Sequence, residues 1–152
     1  MIQELKRFVK ELALGQAKLP DLFIVARDAN CNGYSTCVKE IRSALSDYAG
    51  SHVAAVPDPH IERWLLIDSQ AFKQVFGQDC KAPDKKCNRD RYKQFLREAI
   101  RAVRIEPLLG GIEWAEDIIQ AMDLDRAGLA DASFGHLLSD LRAALRLSIA
   151  QL

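Results

Sequence analysis

No apolar run in this chain approaches the roughly eighteen residues that a membrane-spanning helix requires. Its N-terminus lacks the layout of a secretory signal and shows instead a periodic charged pattern, Glu4, Lys6, Arg7, Lys10 and Glu11. These two absences lead us to expect a cytoplasmic protein. There is no Gly-Lys-Ser/Thr phosphate loop and no dinucleotide fingerprint, and neither Ser35 nor Ser69 sits in a nucleophile elbow. A motor ATPase, a nicotinamide enzyme and a triad hydrolase are therefore poor fits. Internal repeats and low-complexity segments are absent. Cysteine is scarce: the four residues form two sequence pairs, Cys31/Cys37 and Cys80/Cys87, without the tight spacing of a zinc knuckle. In the absence of an export signal, resting disulfides are not expected. Unpaired core and loop thiols are the reading, with a four-thiol metal site assembled across the fold as the alternative.

Net charge is also lacking, since 21 basic residues balance 21 acidic ones. The chain as a whole does not draw nucleic acid from a distance. Its charge is nonetheless uneven. Residues 81 to 104 carry nine Lys or Arg against Asp84, Asp90 and Glu98, while residues 106 to 131 carry seven acids against Arg126 alone. A basic face of that kind either tracks a DNA or RNA backbone or is a solvated face paired with its acidic neighbour.

What is present is enough for one domain with its own core, 152 residues with 49% apolar and 28% charged side chains. Leu5, Phe8, Val9 and Leu12 set a helical period over residues 2–14, with Gly15 as its stop. A linker spans Lys18–Asp21. Leu22–Ala26 is a continuous apolar run suited to a buried parallel strand. Asn32-Gly33 is a turn, followed by a helix over 35–48 and a second strand over 52–56. Pro57 and Pro59 stiffen the exit from that strand. Ile61, Trp64 and Leu65 mark a following helix, and residues 71–76 another short one. A polar loop over 77–86 leads to a long basic helix that starts at Asn88 or Asp90. Ile105 belongs to a third strand only if Pro107 allows it. A helix over 112–122 follows Gly110-Gly111. Ser133 is read as the cap of a last helix with Phe134, Leu137, Leu138, Leu141, Leu145 and Ile149 on one face. The expected fold class is α/β: one domain over 1–152, a small parallel sheet flanked by several helices, and a helical part over 88–152. Two strands make an unusually small sheet. A missing N-terminal piece, a partner chain or dimerisation through the first or last helix would complete it.

Both strands run straight into acidic residues. Asp28 and Asn30 follow the first, and Asp58, His60 and Glu62 follow the second. In a parallel sheet these exits share the carboxyl edge, the usual place of an α/β active site. If Asp58 starts the next helix, Glu62 lies on the same side of its first turn. Clustered carboxylates repel unless an ion lies between them, and Mg²⁺ or Mn²⁺ favours oxygen ligands. The candidate metal ligands are Asp28, Asn30, Asp58 and Glu62, and the candidate catalytic residues are Asp28, Asp58 and Glu62. The plainer alternative is that Asp28 bonds its own turn and Asp58 caps a helix. His60 is a ligand, a proton-transfer group or a loop histidine on a carbonyl. Arg27 clamps a phosphate or pairs with an acid, and Trp64 is core. Gly110-Gly111 reads as a plain helix start, because Glu113 and Glu116 would repel a phosphate there.

Asp28-Ala29-Asn30 and the stretch from Pro57-Asp58-Pro59-His60 through Ile61-Glu62-Arg63-Trp64-Leu65-Leu66-Ile67-Asp68 resemble segments of the Toprim-like proteins, in particular the DUF4276 and RloB-related group. Ser133-Phe134 with Leu137-Leu138 is similar to that group's closing helix. The resemblance runs from about Asp21 onward. It implies a Rossmann-type three-layer fold and a Mg²⁺-dependent nuclease or other phosphoryl-transfer activity on nucleic acid. Asp28 matches the first residue of the family's Asp-x-Asp pair, Asn30 stands where the second aspartate would be, and Glu62 matches the acid of its Glu-x-Trp stretch. The family's glutamate-bearing first strand has no counterpart here. The resemblance also implies an AAA-type ATPase partner and a role in phage defence. A noncatalytic interaction subunit of an ATPase-containing complex is the alternative.

Overall fold

The computed structural model describes residues 1–15, 20–48, 50–88 and 90–149. Helix α1 (Ile2–Leu14) is followed by β1 (Leu22–Ala26), α2 (Tyr34–Ala44), β2 (Ser51–Ala55), α3 (Ile61–Trp64), α4 (Ser69–Phe76) and α5 (Arg91–Ala102). A 3₁₀ turn (Ile112–Trp114) then leads into α6 (Ala115–Ala121), α7 (Leu124–Ala130) and α8 (Ala132–Ile149). The fold is mixed α/β, a two-stranded parallel sheet flanked by helices, with Leu22 opposite Ser51 and Ala26 opposite Ala55. No described helix is long and apolar enough to cross a membrane. The linker expected over Lys18–Asp21 lies partly outside the described residues.

Two apolar clusters hold these elements. One packs Val9 of α1 and Ile41 of α2 against Val25, Ala54 and Val56, on one face of the sheet. The other gathers Trp64, Phe72, Tyr92, Leu96, Ile100, Ile118 and Phe134 from the helices around Ala55. β1 departs from the expected buried strand: Ile24 is 51% exposed and Ala26 is exposed, while their β2 partners Val53 and Ala55 are buried. Ile105 forms no strand. The acidic helix expected over 112–122 is divided between the 3₁₀ turn and α6. Glu113 turns its carboxylate back onto the backbone N–H groups of Leu108, Leu109 and Gly111, which closes the Gly110-Gly111 junction to an outside anion.

Helix α7 was invisible to apolar periodicity. Two features of the tertiary structure support it. Buried Asp68 caps α4 and also accepts hydrogen bonds from the Asp123 N–H and from Arg126, which anchors the start of α7. Gly128 and Gly135 let α7 and α8 approach closely, since a Cβ on Gly135 would lie 2.6 Å from the Gly128 carbonyl oxygen. Gly135→Ala is therefore expected to cost about 1–3 kcal/mol in urea denaturation, the clash outweighing alanine's better helix propensity. A variant of unchanged or raised stability would show that the two helices part without cost.

Candidate functional site

The strand pairing does not stop where the strands end. The Arg27 N–H donates to the Ala55 carbonyl at 3.0 Å, Ala29 to Pro57 at 2.8 Å and Asn30 to Pro59 at 2.9 Å. This extended pairing brings the segments bearing Asp28 and Asp58 side by side at the carboxyl edge, as expected. Beside Asp28 lies an almost wholly apolar hollow of about 270 Å³, bounded by Ala55, Pro57, Ile61 and Trp64.

The carboxylates differ in their partners from what sequence spacing suggests. Asp28 bonds the first residue of α3 and not its own turn: Oδ1 accepts from the Ile61 N–H at 3.0 Å. Its Oδ2 lies 3.5 Å from His60 Nδ1. His60 rests against the Tyr92 ring, and its Nε2 is buried with no hydrogen-bond partner among the described residues. Asp58 does not start the helix. It precedes a cis peptide bond to Pro59, and α3 begins only at Ile61 with His60 as its cap residue. The expected Asp58–Glu62 helical spacing is thereby lost. Asp58 instead receives Lys85 Nζ at 2.6 Å, and its backbone N–H donates to Ser133 Oγ at 3.2 Å. Asn30 is exposed, in the left-handed region at φ 51°, with Nδ2 3.3 Å from the Asp28 carbonyl oxygen. Glu62, in the first turn of α3, has no hydrogen bond or ion pair among the described residues. Arg27 pairs with Glu40 of α2.

Sequence reasoning missed the group that supports this rim. Arg63 Nε donates to Asp131 Oδ2 at 2.9 Å, and its Nη1 donates to the Pro83 carbonyl at 3.0 Å. Asp131 Oδ1 accepts from the N–H groups of Ser133 and Phe134, so Asp131, not Ser133, caps α8. Ser133 Oγ is left to accept from Trp64 Nε1 at 3.0 Å and from the Asp58 N–H. Burial pushes the Asp131 carboxyl pKa up. Hydrogen bonds from Ser133 and Arg63 outweigh that and hold it below the ordinary aspartate value. The usable signal was Asp131 itself, a favoured capping residue just ahead of the apolar period of α8.

The cysteines also differ from expectation. Cys31, in the turn after β1, and Cys87, in the loop before α5, form a disulfide across 56 residues of sequence, with Cα atoms 5.3 Å apart. The bond joins one member of each sequence pair, an approach that only the fold produces. Cys37 and Cys80 are free and buried in different clusters, which removes the four-thiol metal site. Burial pushes the Cys80 thiol up to about 11. The basic stretch pairs in part with nearby acids, Lys86 and Arg91 with Asp84 and Arg101 with Glu106.

As donors for a divalent ion these residues are incomplete. Asp28 Oδ1 accepts from the Ile61 N–H and its Oδ2 faces the His60 ring, Asp58 is neutralised by Lys85, and no group of three or more His, Cys, Asp or Glu among the described residues is arranged to hold a metal. They supply part of a coordination sphere and do not close one. The fold and the rim together define an α/β domain with paired carboxylates at the exits of two parallel strands. No family model matches the chain, and neither a curated protein nor a solved structure shows significant similarity to it.

Proposed function

We propose that this chain is the aspartate-bearing part of a Toprim-like, Mg²⁺- or Mn²⁺-dependent nuclease or phosphoryl-transfer domain acting on nucleic acid, with its cation site completed by an acidic group from outside the described residues. One observation carries this reading: Asp28 and Asp58 leave adjacent parallel strands at the same edge, where backbone pairing continues beyond the strands. Glu62 follows nearby, without a partner among the described residues. The sequence resemblance adds an AAA-type ATPase as the partner and phage defence as the setting. β1 is an edge of the two-stranded sheet, and its free edge is where a further strand, from this protein or another, would extend it.

A second reading rests on the same rim. Lys85 on Asp58, and Ile61 with His60 on Asp28, are the contacts expected if the carboxylates only brace the fold. The chain is then a noncatalytic interaction subunit of an ATPase-containing complex. Titration calorimetry with Mn²⁺ separates the two. In the first reading Asp28→Asn and Glu62→Gln each weaken Mn²⁺ binding at least about tenfold, the scale of one lost charged ligand. Unchanged affinity in both variants, with the fold intact, removes the cation site and leaves the interaction subunit.

A further inference from the structure

We propose that the Cys31–Cys87 disulfide is a redox latch that holds the loop between α4 and α5, and with it Lys85, over the Asp28–Asp58 rim. Three observations converge on it. The bond joins the turn directly after Asp28-Ala29-Asn30 to the loop that supplies the Lys85 ammonium group to Asp58. Both cysteines are exposed, as are Asp84, Lys85, Lys86 and Asn88 around Cys87, so a thiolate in solution reaches the sulfurs without unfolding the chain. The other two thiols are buried, and desolvation raises their pKa values, so they neither attack the bond nor compete for oxidation.

Other contacts also tie the loop down. Arg63 holds the Pro83 carbonyl, and the Tyr92 hydroxyl accepts from the Lys86 N–H at 2.9 Å and lies 3.2 Å from the carbonyl oxygens of Asp84 and Lys86. Cys80 and Ala82 anchor the start of the loop in the helical cluster, and the segment after them is held by hydrogen bonds and by the ion pair of Asp84 with Arg91, which water can replace. The disulfide is the covalent tie between the loop and the rim, and it breaks only by exchange. A dithiol reductant supplies two electrons and two protons: the S–S bond opens, Cys31 and Cys87 become thiols, and the reductant closes to its own disulfide. With the latch open, the exposed segment around Lys85 departs and Lys85 leaves Asp58, which frees a carboxylate that the closed form keeps neutralised. The latch operates whether or not the rim takes a cation, so its test needs no metal.

The test compares the protein as isolated, the protein reduced with dithiothreitol and then freed of reductant without air, and Cys31→Ser. Each is read by amide hydrogen exchange over residues 78–88 and by carbodiimide labelling of Asp58, both by mass spectrometry. Reduction and Cys31→Ser are expected to speed loop exchange and Asp58 labelling at least fivefold, with the far-ultraviolet circular dichroism of the folded protein unchanged. Lys85→Ala in the oxidised protein is expected to speed Asp58 labelling alone. Four free thiols in the protein as isolated would overturn the latch, as would unchanged rates on reduction. Loss of the folded circular dichroism on reduction would also overturn it, by showing the bond to be a staple of the whole fold.

Discussion

Asp131→Ala is expected to destabilise the protein by about 3–5 kcal/mol, the cost of removing one partner from a buried ion pair. The argument rests on what is left behind. Asp131 is 4% exposed and Arg63 12%, so the guanidinium keeps its desolvation cost after its counter-charge is gone. Two N–H groups at the start of α8 and the Ser133 hydroxyl lose their acceptor as well. Because Ser133 in turn holds Trp64 and the Asp58 backbone, the rim loosens along with the helix end. Asp131→Asn keeps the shape and one acceptor, and should cost clearly less. Acid should reproduce part of the effect. The folded Asp131 pKa lies below its unfolded value of about 3.9, so its contribution is complete above that value and is lost as pH falls through the lower folded one. Denaturant midpoints measured between neutrality and pH 3 should fall toward the acid end in the wild type and fall less in Asp131→Ala. Equal acid sensitivity in the two proteins would show that other carboxylates carry that pH dependence.

Reduction of Cys31–Cys87 comes next in size. The bond closes a loop across 56 residues of sequence, for which the chain-entropy account gives about 4 kcal/mol of stabilisation. Cys31→Ser/Cys87→Ser should then melt about 8–16 °C below the oxidised wild type, at the 2–4 °C per kcal/mol usual for chains of this size. The reduced wild type should melt with the double variant. Identical melting of the oxidised and reduced proteins would mean that the loop's other contacts already hold the two turns together. A loss of this size is compatible with a folded reduced form, because small domains are typically stable by about 5–15 kcal/mol.

The backbone elements were largely legible because their signals are local. The period over residues 2–14 needs only neighbouring residues, and Leu22–Ala26 needed only its apolar run; both reappear with the predicted bounds. The second strand was displaced by one residue. Failures came where distant residues decide. Asp58 was a plausible helix start by spacing, yet the helix receives its side-chain cap from Asp28, 33 residues earlier. Ser133 was a plausible cap, yet Asp131 takes that place and frees the serine for Trp64 and Asp58. Helix α7 has no apolar period of its own and depends on Asp68 and on the Gly128–Gly135 approach.

The sequence by itself determined the α/β class, the two parallel strands and the arrival of an acidic segment at each strand exit. Periodicity and turn chemistry act over a few residues and need nothing from the rest of the chain. Only the tertiary structure decided which partner each carboxylate takes, which cysteines bond, and that Arg63, Asp131 and Ser133 stand behind the rim. Those outcomes depend on groups from far along the chain meeting within hydrogen-bond or S–S distance, and a linear order of residues does not contain such distances.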